Sequence, residues 1–272
     1  MTDEVSEDEE VLRPRSLLPP TAVYRRGDVV YRETGPWAPT VHALLRHLES
    51  VGFTYAPHVI GSGFDDLGRE TLAYIEGEFI DPGPWTLEGA AALGRVLREL
   101  HEATASFRPP SDALWGPWFG RDLGGPQRVI GHCDFAPWNI VTRDGMPVGL
   151  IDWDFSGPVD PLVELAQACW LNAKLHDDVV AEREGLPPMA ERAKQLRAIV
   201  DAYGLPAKQR DGFIDRMVEL VIYDNEDFAN DAGVTPDSDD PRLIWGFAWR
   251  ARGAAWLLRN RSSLQNVITE QT

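Results

Sequence analysis

The stretch that decides the reading is HCDFAPWNIV, residues 132–141, followed after a short turn by VGLIDWD, residues 148–154. It sets His132, Asp134, Asn139, Asp152 and Asp154 in a fixed order, with Asn139 five residues after Asp134 and Asp152 thirteen residues after Asn139. Phosphoryl transfer asks for such a set. A carboxylate has to accept or orient the proton of an attacking hydroxyl, and hard oxygen ligands have to hold Mg²⁺ against nucleotide phosphates. Residues 140–142 and 148–151 are β-prone and flank Asp144-Gly145, a strong hairpin turn signal. The hairpin returns Asp152 to the neighbourhood of Asn139, which gives the spacing a geometric reason. The same His132, Asp134, Asp152 and Asp154 could instead hold Zn²⁺ or Mn²⁺ in a hydrolase, but Asn139 and its flanking pattern fit a kinase better.

Outward from this core, residues 1–10 (MTDEVSEDEE) form an acidic stretch expected to be a disordered tail. Residues 23–31 (VYRRGDVVY) read as a hairpin about Gly27-Asp28. Residues 40–50 place Val41, Leu44, Leu45 and Leu48 on one helical face, with Thr40 as the expected N-cap. Val59-Ile60 and residues 71–75, which include Tyr74, are further strands. Gly77 and the run Asp81-Pro82-Gly83-Pro84 then break the pattern, so a lobe boundary is placed at Glu76. Residues 86–104 form a long helix carrying Leu93, Leu97, Leu100 and His101 on one face, and residues 106–127, rich in Pro, Gly and Trp, form an irregular loop. From Pro161 the chain is predicted to be helical over 161–175, 190–203, 207–223 and 242–259. Strands first and helices later give an α+β fold class. The organisation expected is a tail (1–10), an N-terminal nucleotide lobe (11–76) and a C-terminal catalytic and substrate lobe (77–272).

The 272 residues suffice for two lobes with buried cores, and 43% hydrophobic with 25% charged residues is ordinary for a soluble chain. No run of about 18 apolar residues suggests a membrane span, and the N-terminus lacks the basic and apolar regions of a secretory signal. A cytoplasmic location is the expectation. Two cysteines, Cys133 and Cys169, do not make a disulfide framework. A formal charge of −17, with six acids in the first ten residues, speaks against nucleic-acid binding and mildly favours cationic small molecules.

Residues 132–139, HCDFAPWN, resemble the catalytic loop of the aminoglycoside phosphotransferase and choline kinase-like family, and Ile151-Asp152-Trp153-Asp154 resembles its metal-binding segment. Residues 95–101 look like that family's helix ending in Leu-His, and residues 157–162 like the segment after its metal aspartate. The stretch 32–61 resembles an actinobacterial-type, trifolitoxin-immunity-like branch. The resemblance implies a protein-kinase-like two-lobed fold, with a small antiparallel-sheet N-lobe and a mostly helical C-lobe. It further implies Asp134 as catalytic base, His132 as support of its loop, and Asn139 and Asp152 as Mg²⁺ ligands. ATP, or GTP, would be the phosphoryl donor and a small-molecule hydroxyl the acceptor.

The chain departs from the family on the nucleotide side. Between Val11 and Thr34 the only glycine is Gly27, and Pro19 and Pro20 stand where a flexible phosphate loop is expected. No lysine precedes Lys174, so the strand lysine is missing; Arg32 occupies the matching position and is expected, with Tyr74, to contact the nucleotide. The helix glutamate that pairs with that lysine has no counterpart, since the position falls at or near Val41 and neither His42 nor His47 restores it. Glu164 stands where the family often has Asp and is expected to orient the metal loop. His101 reads as a packing residue, and Asp154 as either a supporting group or a cap. The acidic run at 224–240, with seven acids and no base, is either a substrate wall or a solvated loop, the latter favoured. Trp245, Trp249 and Trp256 read as core packing. Two functions follow, a phosphotransferase acting on a small-molecule alcohol, with an aminoglycoside-like cation as one candidate, or a non-catalytic kinase-fold binding or immunity protein.

Overall fold

The structure, a computed structural model, describes residues 9–13 and 22–270. The tail reading for residues 1–8 and the glycine-poor stretch with Pro19 and Pro20 lie outside the described residues. Of the residues read as tail, Glu10 opens the first strand, and Glu9 just before it pairs with Arg69 at 2.9 Å.

Five strands form an antiparallel sheet in the order β1-β2-β3-β5-β4: β1 (Glu10–Arg13), β2 (Val23–Arg26), β3 (Val29–Arg32), β4 (Val59–Phe64) and β5 (Glu70–Ala73). The predicted hairpin is present, with Gly27 supplying the positive φ of +60° that its turn requires. Between β3 and β4 runs α1 (Ala38–Ser50), whose Val41, Leu44, Leu45 and Leu48 are buried as their spacing predicts. Each contributes about 2 kcal/mol of apolar burial. The helix starts earlier than Thr40, at a Trp37 N-cap; the Thr40 hydroxyl instead accepts the backbone N–H of Leu114, tying the irregular loop to the helix.

The remainder is helical around two small hairpins. α2 (Leu87–Thr104), the long helix predicted over 86–104, is capped by Thr86 and crosses α5 (Met189–Tyr203) at Gly94, where a Cβ would lie 2.2 Å from the Ile199 carbonyl oxygen. Two-stranded ladders pair β6 (Val129–Gly131) with β9 (Gly157–Val159), and β7 (Ile140–Arg143) with β8 (Met146–Leu150). After them come α3 (Pro161–Asn172), α4 (Asp178–Glu184), α6 (Ala207–Arg210), α7 (Phe213–Asp231) and α8 (Pro241–Thr269). Trp170 and Trp256 are buried among them, and Trp249 stacks on Trp170 at 5.3 Å; Trp245 remains partly exposed, so two of the three tryptophans serve the core. None of these helices is long and apolar enough to cross a membrane.

The joining segment is held to the β7–β8 hairpin. Glu78 and Thr142 exchange backbone hydrogen bonds, and the Leu150 N–H donates to the Tyr55 carbonyl. The hairpin that carries the site motif therefore bridges the sheet and the helical part. The result is the protein-kinase-like two-lobed α+β architecture expected, with a small antiparallel sheet followed by a helical region.

Candidate active site

The β7–β8 hairpin does what its spacing requires. Ile140 pairs with Leu150, and just beyond that pair the Ile151 N–H donates to the Asn139 carbonyl at 2.9 Å. Asp152 then leaves the strand in a left-handed conformation, φ +64°. On the other side Asn139, buried at the end of a 3-10 turn (Pro137–Asn139), donates its Nδ2 to the Asp134 carboxylate at 2.6 Å. His132 ties the two segments together. Its Nδ1 accepts the Asp134 N–H at 3.2 Å, so Nε2 carries the proton and donates to the Ile151 carbonyl at 2.9 Å. Burial lowers the His132 pKa, and the ring packs neutral against Trp153 at 4.7 Å. Both its nitrogens are thus spent on backbone, which removes it as a metal ligand.

Burial, joined by the negative charge of Asp152, pushes the Asp134 carboxyl up to about 7. Asp224 on α7 adds to the same effect, and the side chains of Asn139 and Trp138 oppose it. Trp138 itself is 46% exposed beside the carboxylate. Asp224, partly buried, pairs with Arg250 at 2.6 Å, and α7 continues through Asp231, so the first half of the acidic run read as a loop is helix. Phe228 holds this extension down: it lies against Gly246 of α8 and under the Arg250 guanidinium at 4.2 Å.

The loop before Asp134 hangs on a buried polar relay. Glu164 of α3, 0% exposed, accepts from the Cys133 N–H at 2.7 Å and from His101 Nε2 at 2.7 Å, while His101 Nδ1 meets the Tyr203 hydroxyl at 2.8 Å. Burial works to raise the Glu164 carboxyl, but His101 and the backbone donor outweigh it and hold the pKa below its ordinary value. Gly131 makes room, since a Cβ there would lie 2.0 Å from Glu164 Oε2. His101 is therefore more than packing, linking α2 and α5 to the loop. Glu164 orients the loop of Asp134, which runs beside the Asp152 segment.

Arg32, at the end of β3 and 11% exposed, points into the same place. Its Nη1 lies 2.8 Å from Asp152 Oδ1, its Nη2 2.9 Å from Asp154 Oδ1, and its Nε 2.5 Å from Glu70 Oε2. Asp154 thus serves the cluster as a partner of Arg32 and of the Thr34 hydroxyl. Glu70 of β5 was not singled out from the sequence. The available signal was an acid at the head of the apolar run TLAYI, facing Arg32 across the strand pair. His42, set aside above, holds the other Glu70 oxygen at 2.8 Å.

The structure therefore brings His132, Asp134, Asn139, Asp152 and Arg32 together. Tyr74 stands apart: it follows Ala73, which pairs with Val29, so it sits at the opposite end of the β3–β5 pair from Arg32, with the Arg25 guanidinium over its ring at 3.7 Å. Among the described residues no three or more His, Cys, Asp or Glu side chains gather as a metal site. The donors Asn139 and Asp152 suit a hard dication completed by phosphate and water oxygens. Burial is the main cause of the raised Asp134 pKa, and the smaller part that comes from the Asp152 and Asp224 charges is what such an ion would offset.

Residues 121–213 match the phosphotransferase enzyme family, APH. Over 248 residues the chain is 56% identical to the trifolitoxin immunity protein of Rhizobium leguminosarum bv. trifolii, covering 91% of this chain and 95% of that protein. The chain belongs to the APH phosphotransferase family. Solved structures share the APH fold at low identity. An amicoumacin kinase in complex with AMP-PNP, Ca²⁺ and its antibiotic superposes with a TM-score of 0.63 at 12% identity, over 92% of this chain and 89% of that one. A choline/ethanolamine kinase family protein from Mesorhizobium loti gives 0.57 at 16%, over 96% and 92%. The APH match spans the Asp134 loop, the β7–β8 hairpin and the Asp152 segment.

Proposed function

We propose that this protein is a cytoplasmic phosphotransferase that moves the γ-phosphate of ATP, or GTP, to a hydroxyl of a small, antibiotic-like molecule. The observation that carries this reading is the Asp134–Asn139 pair standing beside Asp152 on one hairpin, faced by the buried cation Arg32. Asp134 is the base. Burial raises the pKa of its carboxyl, which makes it a stronger base toward the proton of an alcohol. Asn139 steadies it through Nδ2, which leaves the amide oxygen for a cation, and Asp152 supplies the second oxygen ligand. His132 keeps the two segments in register. When bound, Mg²⁺ would neutralise the phosphate charge that grows as the phosphoryl group transfers. The half-exposed Trp138 face beside Asp134 offers the acceptor a surface to approach on. Tyr74, at the end of β5 where the chain leaves the sheet, is assigned to the nucleotide side, within a nucleotide lobe ending near Glu76.

The acceptor class follows the relative, an immunity protein: phosphorylation of a toxic small molecule is one route to immunity. Asp134→Asn is expected to lower turnover at least a thousandfold while AMP-PNP with Mg²⁺ still binds. Retained turnover would remove Asp134 from its role.

A second reading, binding without catalysis, is favoured by one observation: both Nη atoms of Arg32 are engaged by Asp152 and Asp154. A thermal-shift titration separates the two. Nucleotide with Mg²⁺ at about 100 times its dissociation constant should stabilise by roughly 2.7 kcal/mol, and no shift with ATP or GTP would favour the non-catalytic protein.

A further inference from the structure

Kinases hold a strand lysine toward the nucleotide with a glutamate from the following helix. This chain has neither, yet Arg32, 11% exposed, stands at the strand position with Glu70 behind it and His42 behind Glu70. We infer that Glu70 and His42 are positioning residues that aim Arg32 at the nucleotide phosphates, with strand β5 supplying the carboxylate and helix α1 only its clamp. The inference rests on the nucleotide-binding reading above.

Four features of the geometry support it. First, register sets Arg32 directly opposite Glu70 in the β3–β5 pair. Second, Glu70 is 0% exposed and uses both oxygens: Oε2 lies 2.5 Å from Arg32 Nε and Oε1 2.8 Å from His42 Nε2. A carboxylate fixed at both ends cannot rotate, so it locks the guanidinium by its Nε edge. Third, His42 is itself seated in a slot. It is 1% exposed, its ring packs on Phe64 at 4.8 Å, and a Cβ on Gly63 would fall 2.4 Å from its Nδ1. Fourth, the Nη edge points away from Glu70 into the site, where it meets Asp152 at 2.8 Å and Asp154 at 2.9 Å, so phosphate oxygens arriving with a dication on Asp152 would meet this edge.

Chemistry explains why the carboxylate changed elements together with the cation. A lysine ammonium is a point charge that a helix glutamate can reach from the side. A guanidinium is a planar fork with two usable edges, and it directs one edge only if the other is held in plane. A strand neighbour in register provides that alignment. A buried arginine losing such a partner would keep an uncompensated charge. Burial tends to raise the Glu70 carboxyl, but Arg32 and His42 overcome this and hold it below its ordinary value, so Glu70 accepts and His42 Nε2 donates.

The test is calorimetric titration of the full-length protein with AMP-PNP in MgCl₂, with circular dichroism to verify folding. Arg32→Met and Glu70→Gln are each expected to weaken AMP-PNP binding about tenfold. In the Arg32→Met background, Glu70→Gln should add less than twofold, because Glu70 acts through Arg32. His42→Phe should weaken binding severalfold, and His42→Gln, which keeps a donor to Glu70, should restore it. Wild-type affinity in Glu70→Gln, or a full tenfold loss in the Arg32→Met background, overturns the inference. If Glu70→Gln does not fold, the His42 pair decides: Phe and Gln variants both binding like wild type overturn it. Wild-type protein that binds no AMP-PNP overturns the nucleotide reading and this inference together. Wild-type binding with indifferent Glu70 and His42 overturns the inference alone.

Discussion

Glu164 shows how much a single buried side chain can organise. It joins the Cys133 N–H, next to Asp134, to His101 and through it to Tyr203, and it does so at 0% exposure. Glu164→Ala would leave a backbone donor and a histidine unpaired in the interior. Loss of about 3–5 kcal/mol is expected, read from urea unfolding followed by tryptophan fluorescence. Glu164→Gln keeps one acceptor and should cost less than half as much. Cys133, φ +65°, and Asp152, φ +64°, are non-glycine residues in the left-handed region at this site. Each costs roughly 1–2 kcal/mol, a cost the surrounding hydrogen bonds sustain. The sequence marked Asp134, Asn139, Asp152 and Glu164. It hid Glu70, because an acid heading an apolar strand reads as a solvated end until its facing residue is known.

At the scale of elements, periodicity predicted α1 and α2 to within two residues, because an apolar stripe is a local property, while the cap of α1 fell at Trp37 and not at Thr40. It failed where stability comes from a neighbour. The C-terminal half of α7, rich in acids, is helical because Phe228 and the Asp224–Arg250 pair dock it on α8. The short α4 and the last ten residues of α8 were likewise not predicted. The α2–α5 crossing rests on Gly94. Gly94→Ala places a methyl 2.2 Å from the Ile199 carbonyl and 2.8 Å from the Tyr203 N–H nitrogen. Destabilisation by about 1–3 kcal/mol is expected despite alanine's better helix propensity, and a lowered thermal midpoint would register it. A midpoint equal to or above wild type would mean that the two helices separate without cost.

For the molecule as a whole, His176 makes stability depend on pH. It packs against Trp170 and Trp249, with Lys174 and Arg192 nearby, and burial followed by those two cations lowers its pKa to about 3. An unfolded histidine titrates near 6.5. Above that pH both states are neutral and nothing is lost; as pH falls below it, the unfolded chain takes the proton first. Stability should therefore drop by up to about 1.4 kcal/mol per pH unit between 6.5 and 3. His176→Gln should remove that slope relative to wild type, measured by urea unfolding at pH 7.5 and 5.5. Parallel pH dependence in the two proteins would show that His176 is protonated in the fold. What the sequence by itself determined is the candidate-site hairpin: Asp134, Asn139 and Asp152 lie within about 20 residues and one β-turn, so local register fixes their approach. Only the tertiary structure decided what stands opposite. Arg32 finds Glu70 38 residues away and Asp152 120 residues away, and such pairings depend on how separately formed elements pack, which no local pattern records.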